Sequence, residues 1–208
     1  MNKEDINYKV YLVTDRNVLK GRNLCQAIEE SIKGGAGIVQ LREKNISSLE
    51  FFNIAKEVKT ITDKYDVPLI INDRLDIAMA VKASGVHLGQ EDIPCSIARE
   101  ILGKDMIIGV SAHNLEEALK AEKDGADYIG CGAVFSTTTK KDTVRVSIDD
   151  IKKIKESINI KMVAIGGIDQ VNIKKLNKTG IDGVAVVSSV LGRENIKEAT
   201  EELFNNNF

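Results

Sequence analysis

The sequence predicts an α/β chain closing into a single-domain (β/α)8 TIM barrel over residues 1–208, with a short N-terminal extension at residues 1–8. Three observations carry that expectation. Short Val-, Ile- and Leu-rich runs alternate with longer amphipathic stretches along the chain. The runs show little polar alternation, as strands buried on both faces do. Strict strand-then-helix order implies parallel strands joined by right-handed crossovers. A doubly wound sheet is the competing arrangement, but it usually carries a Gly-rich phosphate loop after its first strand. Here that strand leads into Thr14-Asp15-Arg16-Asn17.

The candidate strands, in order, are Val10 to Val13, Ile38 to Leu41, Leu69 to Ile71, Val86 to Leu88, Ile107 to Val110, Tyr128 to Gly130, Met162 to Ile165 and Val184 to Val187. Between them lie helical patterns. Leu24, Ile28 and Ile32 recur every four residues, as do Leu115 and Leu119, with Ala118 and Glu122 beside them. Phe51, Ile54, Ala55, Val58 and Ile61 form a 3.6-residue stripe, and Ile173 and Leu176 sit on another. Ser48 is expected to precede one helix, with Phe51 and Phe52 in its first turn, and Asn114 with Glu117 three residues on has the form of a capping box. Gly35, Gly85, Gly125 and Gly180 each close a helical stretch, where a left-handed residue is wanted.

Composition narrows the function classes. Hydrophobic residues make up 43% and charged residues 29%, which excludes a disordered or collagen-like chain. Lys and Arg number 29 against 31 Asp and Glu, a net charge of −2, too weak an imbalance for long-range attraction to nucleic acid or an anionic membrane. Any anion site must therefore be built locally. Apolar runs fall far short of the ~18 residues of a membrane span, and the first residues show no apolar signal region. Cys25, Cys95 and Cys131 are widely spaced and form no C-x-x-C pair, so reduced thiols in the cytoplasm are expected.

In such a barrel the chemistry lies at the C-terminal ends of the strands. After the second strand, Gln40, Arg42 and Lys44 share one face and Val39, Leu41 and Glu43 the other, so two cations and an amide point at the barrel mouth as a polyanion clamp. The third strand ends in Asn72-Asp73, and the fourth leads through Gly89-Gln90-Glu91 to Asp92. Carboxylates on adjacent strand tops can share one Mg²⁺, an ion that takes one or two protein carboxylates and leaves its other positions to water and phosphate. Taken singly, each aspartate reads as a helix cap. Ser111-Ala112-His113 follows the fifth strand, and the sixth opens the longest loop, Ala133 to Asp142, where Thr137, Thr138 and Thr139 stand beside Lys140 and Lys141. Hydrogen bonds to a charged phosphate are worth roughly 1.5–3 kcal/mol each. Gly166-Gly167 and Ser188-Ser189 end the last two strands, where such barrels often hold a phosphate on backbone amides. His87 reads as a satisfied core residue and His113 as a candidate acid or base; no nucleophilic triad is visible.

Six runs in series, Gln40-Leu41-Arg42-Glu43-Lys44, Ile71-Asn72-Asp73-Arg74, Gly85 to Asp92, Gly109-Val110-Ser111-Ala112-His113, Thr137 to Asp142 and Ala164-Ile165-Gly166-Gly167-Ile168, resemble the thiamine-phosphate synthase (thiamine-phosphate pyrophosphorylase) family. The resemblance covers about Tyr11 to Leu191. It implies an enzyme that joins hydroxymethylpyrimidine diphosphate to a thiazole phosphate, releasing pyrophosphate. It further implies that Gln40, Arg42, Lys44, Asn72, Ser111 and Lys140 hold the pyrimidine diphosphate and that Asp73 and Asp92 hold Mg²⁺. Thr137, Thr139, Gly167 and the Val187-Ser188 backbone are implied for the thiazole phosphate, and Arg42, Lys44, Lys140 and Ser111 for catalysis. Ser136 stands where the family usually has Pro, and Ala133 where it often has Pro. Small-molecule substrates alone are expected as partners. A thiazole tautomerase-like paralogue and a non-catalytic thiamine-phosphate-binding protein are the alternatives.

Overall fold

A computed structural model of the chain describes residues 3–137 and 144–206. The strands are β1 (Val10–Val13), β2 (Ile38–Leu41), β3 (Leu69–Asn72), β4 (Gly85–Leu88), β5 (Ile107–Ala112), β6 (Tyr128–Cys131), β7 (Lys161–Ile165) and β8 (Gly183–Val186). Each pairs in parallel with the next and β8 closes on β1, so the sheet is a closed barrel in sequence order. The helices are α1 (Arg16–Leu19), α2 (Leu24–Lys33), α3 (Ser48–Lys64), α4 (Leu75–Ala80), α5 (Cys95–Leu102), α6 (Leu115–Lys123), α7 (Ile148–Ser157), α8 (Ser188–Leu191) and α9 (Ile196–Asn205). Among the described residues, no helix is long and apolar enough to cross a membrane.

The two-residue period of a strand sorts each one into two cores. Val10, Leu12, Val39, Leu41, Leu69 and Ile71 face outward and pack with helix residues such as Ile28, Phe51 and Val58. Tyr11, Val13, Ile38, Ile70, Ile107, Tyr128, Val163 and Ala185 fill the interior. Both sets are apolar, which is why the sequence runs do not alternate. The segment ahead of β1 packs beneath the barrel: Tyr8 joins the interior cluster with Ile6 against it, and Lys3 Nζ donates to Asp127 Oδ1 at 2.9 Å. Asp127 also accepts from Arg99 Nη2 at 2.6 Å and from the Ile108 amide at 2.8 Å.

Several local expectations are corrected. Ser47, not Ser48, caps α3, its hydroxyl accepting from the Glu50 amide at 3.1 Å. Gly35, Gly125 and Gly180 are left-handed, with φ of 106°, 90° and 79°. Gly85 instead opens β4, and left-handed geometry falls on Lys82. On α6 the inward face is Ala118 and Ala121, while Leu115 and Leu119 stay 39% and 42% exposed, because the small alanine face lets the helix lie close on the barrel. Ile173 and Leu176 are fully buried, but on a 3₁₀ turn (Ile173–Leu176) rather than an α-helix. Val187, read as the end of the last strand, is the N-cap of α8.

Gly109 shows how the interior constrains the sequence. A Cβ there would lie 2.0 Å from the Tyr128 ring, so only glycine on β5 leaves that ring its place. Gly109→Ala is expected to destabilise the fold by about 1–3 kcal/mol, the range of core overpacking, read as a lower urea midpoint; an unchanged midpoint would show that the ring relocates freely.

Candidate active site

The main cavity opens at the C-terminal ends of the strands. Gln40, Arg42, Asn72, Ser111, Thr137, Gly167, Val187 and Ser188 all line it, so residues drawn from six separate stretches of sequence meet there. Val13, Val163, Ile165 and Ala185 supply its apolar wall. Thr139 and Lys140 lie outside the described residues.

Each side is built by its strand. On β2, Gln40 is 5% exposed and its Nε2 donates to the Tyr11 hydroxyl at 2.8 Å. Arg42 follows, its backbone amide donating to the buried Thr14 hydroxyl at 3.0 Å. Glu43, on the opposite face, is buried against Arg16 Nε at 2.9 Å. Its Oε1 has no hydrogen-bond partner among the described residues, and burial holds its carboxyl above the ordinary range despite Arg16. At the top of β5, Ser111 Oγ lies 3.0 Å from His87 Nε2.

The two aspartates differ in their surroundings. Asp73 adopts φ 53°, and its Oδ2 accepts from Asn72 Nδ2 at 2.8 Å and from Lys44 Nζ. It caps no helix: the N-cap of α4 is Arg74, which makes no side-chain cap bond. Asp92 Oδ2 accepts from the Gly89 amide at 2.6 Å, tying the turn after β4; it caps no helix either, the N-cap of α5 being Pro94 with no side-chain cap bond. The strands that carry them are neighbours, with Asn72 paired to His87. Among the described residues, Lys44, Asp73 and Asp92 do not line the main cavity. No group of three or more His, Cys, Asp or Glu there is arranged to hold a metal ion.

The far side is backbone. Gly166 and Gly167 have φ of 104° and 62°, and a Cβ on Gly167 would fall 2.3 Å from the Ser136 carbonyl. Val187 caps α8 without a side-chain bond, and the first amides of any helix lack intrahelical acceptors. The long loop after β6 is tied at its base by Ala133 N to Val144 O and Val146 N to Ala133 O, both 2.9 Å.

A model of the family described as thiamine monophosphate synthase matches residues 10–190. The chain belongs to the thiamine monophosphate synthase family. A protein of Clostridium tetani named thiamine-phosphate synthase is 57% identical over 203 residues, covering 98% of this chain and 97% of its own. One of Clostridium botulinum with the same name is 56% identical over 203 residues, covering 97% and 99%. Among solved structures, a thiamine phosphate pyrophosphorylase from Pyrococcus furiosus superposes with a TM-score of 0.88 at 42% identity, covering 97% of this chain and 96% of that one. Membership of the thiamine monophosphate synthase family thus rests on nearly the whole barrel rather than on one motif.

Sequence reasoning did not single out Tyr11 and Tyr128, and it took His87 for a core residue. His87 is hydrogen-bonded at both ring nitrogens, yet it lines the cavity. The available signal was three polar residues at inward register in strands otherwise filled with aliphatic side chains. Burial raises the hydroxyl pKa of Tyr11 and Tyr128 well above its ordinary value, so both stay protonated.

His113 is engaged in the cap of α6. Glu117 Oε2 accepts from the His113 amide at 2.8 Å and its ring Nδ1 at 2.9 Å, while Asn114 Oδ1 accepts from the Glu117 amide at 2.9 Å. Burial pushes the Glu117 carboxyl up, but the His113 amide and ring and Asn114 Nδ2, which donates to Oε1 at 2.8 Å, outweigh it and hold the group below its ordinary 4.5. A lowered folded value means the stabilisation is present above that ordinary value and is lost as pH falls through the folded one. Glu117→Gln should therefore lose less stability than the parent between about pH 5 and pH 3, measured by urea unfolding across that range; parallel curves would exclude this linkage.

Proposed function

We propose that the chain is a transferase that condenses hydroxymethylpyrimidine diphosphate with a thiazole phosphate to give thiamine phosphate and pyrophosphate. The observation that carries this reading is one cavity that gathers a cation and amides at β2 and β3, a hydroxyl on β5, and the backbone after β7 and β8, in a family member matched over 10–190. Gln40, Asn72 and Ser111 hold the pyrimidine. Arg42, Lys44 and Lys140 take the charge of the departing diphosphate. Thr137, Thr139, Gly167 and the Val187-Ser188 amides hold the thiazole phosphate. The methylene C–O bond breaks with its electron pair leaving on pyrophosphate, and the pyrimidine-methyl cation so formed is captured by the thiazole nitrogen, which supplies the pair for the new C–N bond. No protein nucleophile is required, and the apolar wall of Val163, Ile165 and Ala185 keeps water from capturing the cation instead.

Asp73 and Asp92 fit Mg²⁺ as two hard carboxylates on adjacent strand tops, too few to form a closed cage, as suits an ion completed by water and diphosphate. Mg²⁺ would supply neutralisation of the leaving group's oxygens. Residues 1–208 act as one barrel domain on small molecules, and the free state of Cys25, Cys95 and Cys131 suits the cytoplasm.

Incubating both substrates with Mg²⁺ should yield thiamine phosphate. Proton exchange on the thiazole alone would identify a tautomerase, and binding without turnover a sensor. Asp73→Ala should lower the rate roughly 10²-fold or more. Asp92→Asn keeps an oxygen acceptor for the Gly89 amide and removes only the charge, so it should lower the rate at limiting Mg²⁺ while preserving the thermal midpoint. Wild-type rates in Asp92→Asn would reduce Asp92 to an anchor of its turn.

A further inference from the structure

Five side chains from five strands form one continuous hydrogen-bonded chain across the barrel. Gln40 Nε2 donates to Tyr11 Oη at 2.8 Å, and Tyr11 Oη lies 2.6 Å from Tyr128 Oη. Tyr128 Oη lies 3.0 Å from His87 Nδ1, and His87 Nε2 lies 3.0 Å from Ser111 Oγ. Gln40, Tyr11, His87 and Ser111 line the cavity, while Tyr128 is fully buried behind them.

If every tyrosine proton is to find an acceptor within the chain, counting protons sets the direction of every link. A neutral tyrosine hydroxyl has one proton to give. Tyr11 accepts from Gln40, so its proton goes to Tyr128; Tyr128 then gives its own to His87 Nδ1. An imidazole that accepts at Nδ1 carries its proton at Nε2 and donates it to Ser111 Oγ. Left over are Gln40 Oε1 with the second Nε2 proton at one end and the Ser111 hydroxyl proton at the other. Gln40 Oε1 and the Ser111 hydroxyl proton have no other partner among the described residues. The cavity therefore shows an acceptor at β2 and a donor at β5. Turning the Gln40 amide over would put Oε1 against Tyr11 and require every link as far as Ser111 to reverse. An imidazolium at His87 would donate at Nδ1 and leave one of the two tyrosine protons with no acceptor in the chain.

We propose that Tyr11, Tyr128 and His87 are positioning residues that set the hydrogen-bond polarity of Gln40 and Ser111, and so select an aminopyrimidine over a pyrimidinone. The inference rests on the proposed function, in which this cavity takes the pyrimidine of thiamine phosphate. That ring offers an exocyclic amino donor and ring-nitrogen acceptors, matching an acceptor at Gln40 and a donor at Ser111. A 4-oxo ring puts a carbonyl where the amino group stood, so two acceptors face each other. A site built around such hydrogen bonds rejects the mismatched analogue strongly, because its own polar groups are left unpaired.

The test uses the full-length protein with Mg²⁺ and the 4-amino and 4-oxo pyrimidine diphosphates, comparing kcat/KM for each in the wild type, Tyr128→Phe and Tyr11→Phe. Tyr128 does not line the cavity, so its variant removes no substrate contact there. The ratio favouring the amino substrate should fall on the order of tenfold in Tyr128→Phe, with the oxo substrate losing least. An equal loss for both substrates, with the ratio intact, would show a merely structural role and overturn the proposal. Independently, long-range ¹H–¹⁵N NMR of the unliganded wild type at neutral pH reads the tautomer of His87. The sequence has two histidines, and His113→Gln assigns the signals. A proton on Nε2 alone is expected; a proton on Nδ1, or on both nitrogens, overturns the polarity even if neither tyrosine variant folds. Absence of thiamine phosphate from the wild-type reaction would remove the substrate assignment, leaving the tautomer by itself to uphold or overturn the polarity.

Discussion

The hydrogen bond between Tyr11 and Tyr128, 2.6 Å across the interior of a closed sheet, is the constraint on which fold and site both depend. It exists because a small barrel has no lumen: side chains from different strands must meet at the axis and fill it. Below this contact the interior is apolar and sealed by Tyr8 and Ile6. Above it the cavity begins. Glycine at 109 on β5 makes room for the Tyr128 ring, and the pairing of β1 with both β2 and β8 carries Tyr11 to the height where Gln40 can reach it. A buried hydroxyl pair is stable only if its neighbours complete it, and Gln40 and His87 do so.

Charge is used differently at the two ends. Beneath the barrel, Asp127 and Asp182 stand just before β6 and β8 and are fully engaged: Asp182 accepts from Lys155 at 2.8 Å, Lys161 at 2.9 Å and the Met162 amide at 2.9 Å. Each ties a helix and a strand to the sheet floor. At the top, Asp73 meets Lys44 and Asn72, Asp92 holds one amide, and Arg42 faces the cavity.

Much of this was legible because periodicity and end signals are local. All eight strands fell where Val-, Ile- and Leu-rich runs stood, and Asn114 capped α6 at the Glu117 amide as its spacing requires, although Glu117 reaches back to the His113 amide rather than to that of Asn114. Misreadings came where two local solutions compete. Ser47 and Ser48 can each cap a helix, and only the path of the preceding loop selects Ser47. On α6 the Leu115–Leu119 and Ala118–Ala121 stripes both have helical spacing, and packing distance to the barrel chose the smaller pair.

The site divides along the same line. Residue type and position after a strand were enough to bring Gln40, Arg42, Asn72, Ser111, Thr137, Gly167, Val187 and Ser188 to one cavity, because strand order and parallel direction determine what reaches the barrel mouth. Which side chains speak to each other across the axis was not contained in any local pattern. Tyr11 and Tyr128 are 117 residues apart, and His87 and Ser111 are 24 apart. Their contact depends on register around a closed sheet and on the height of each residue along the axis, quantities that exist only once the last strand has paired with the first.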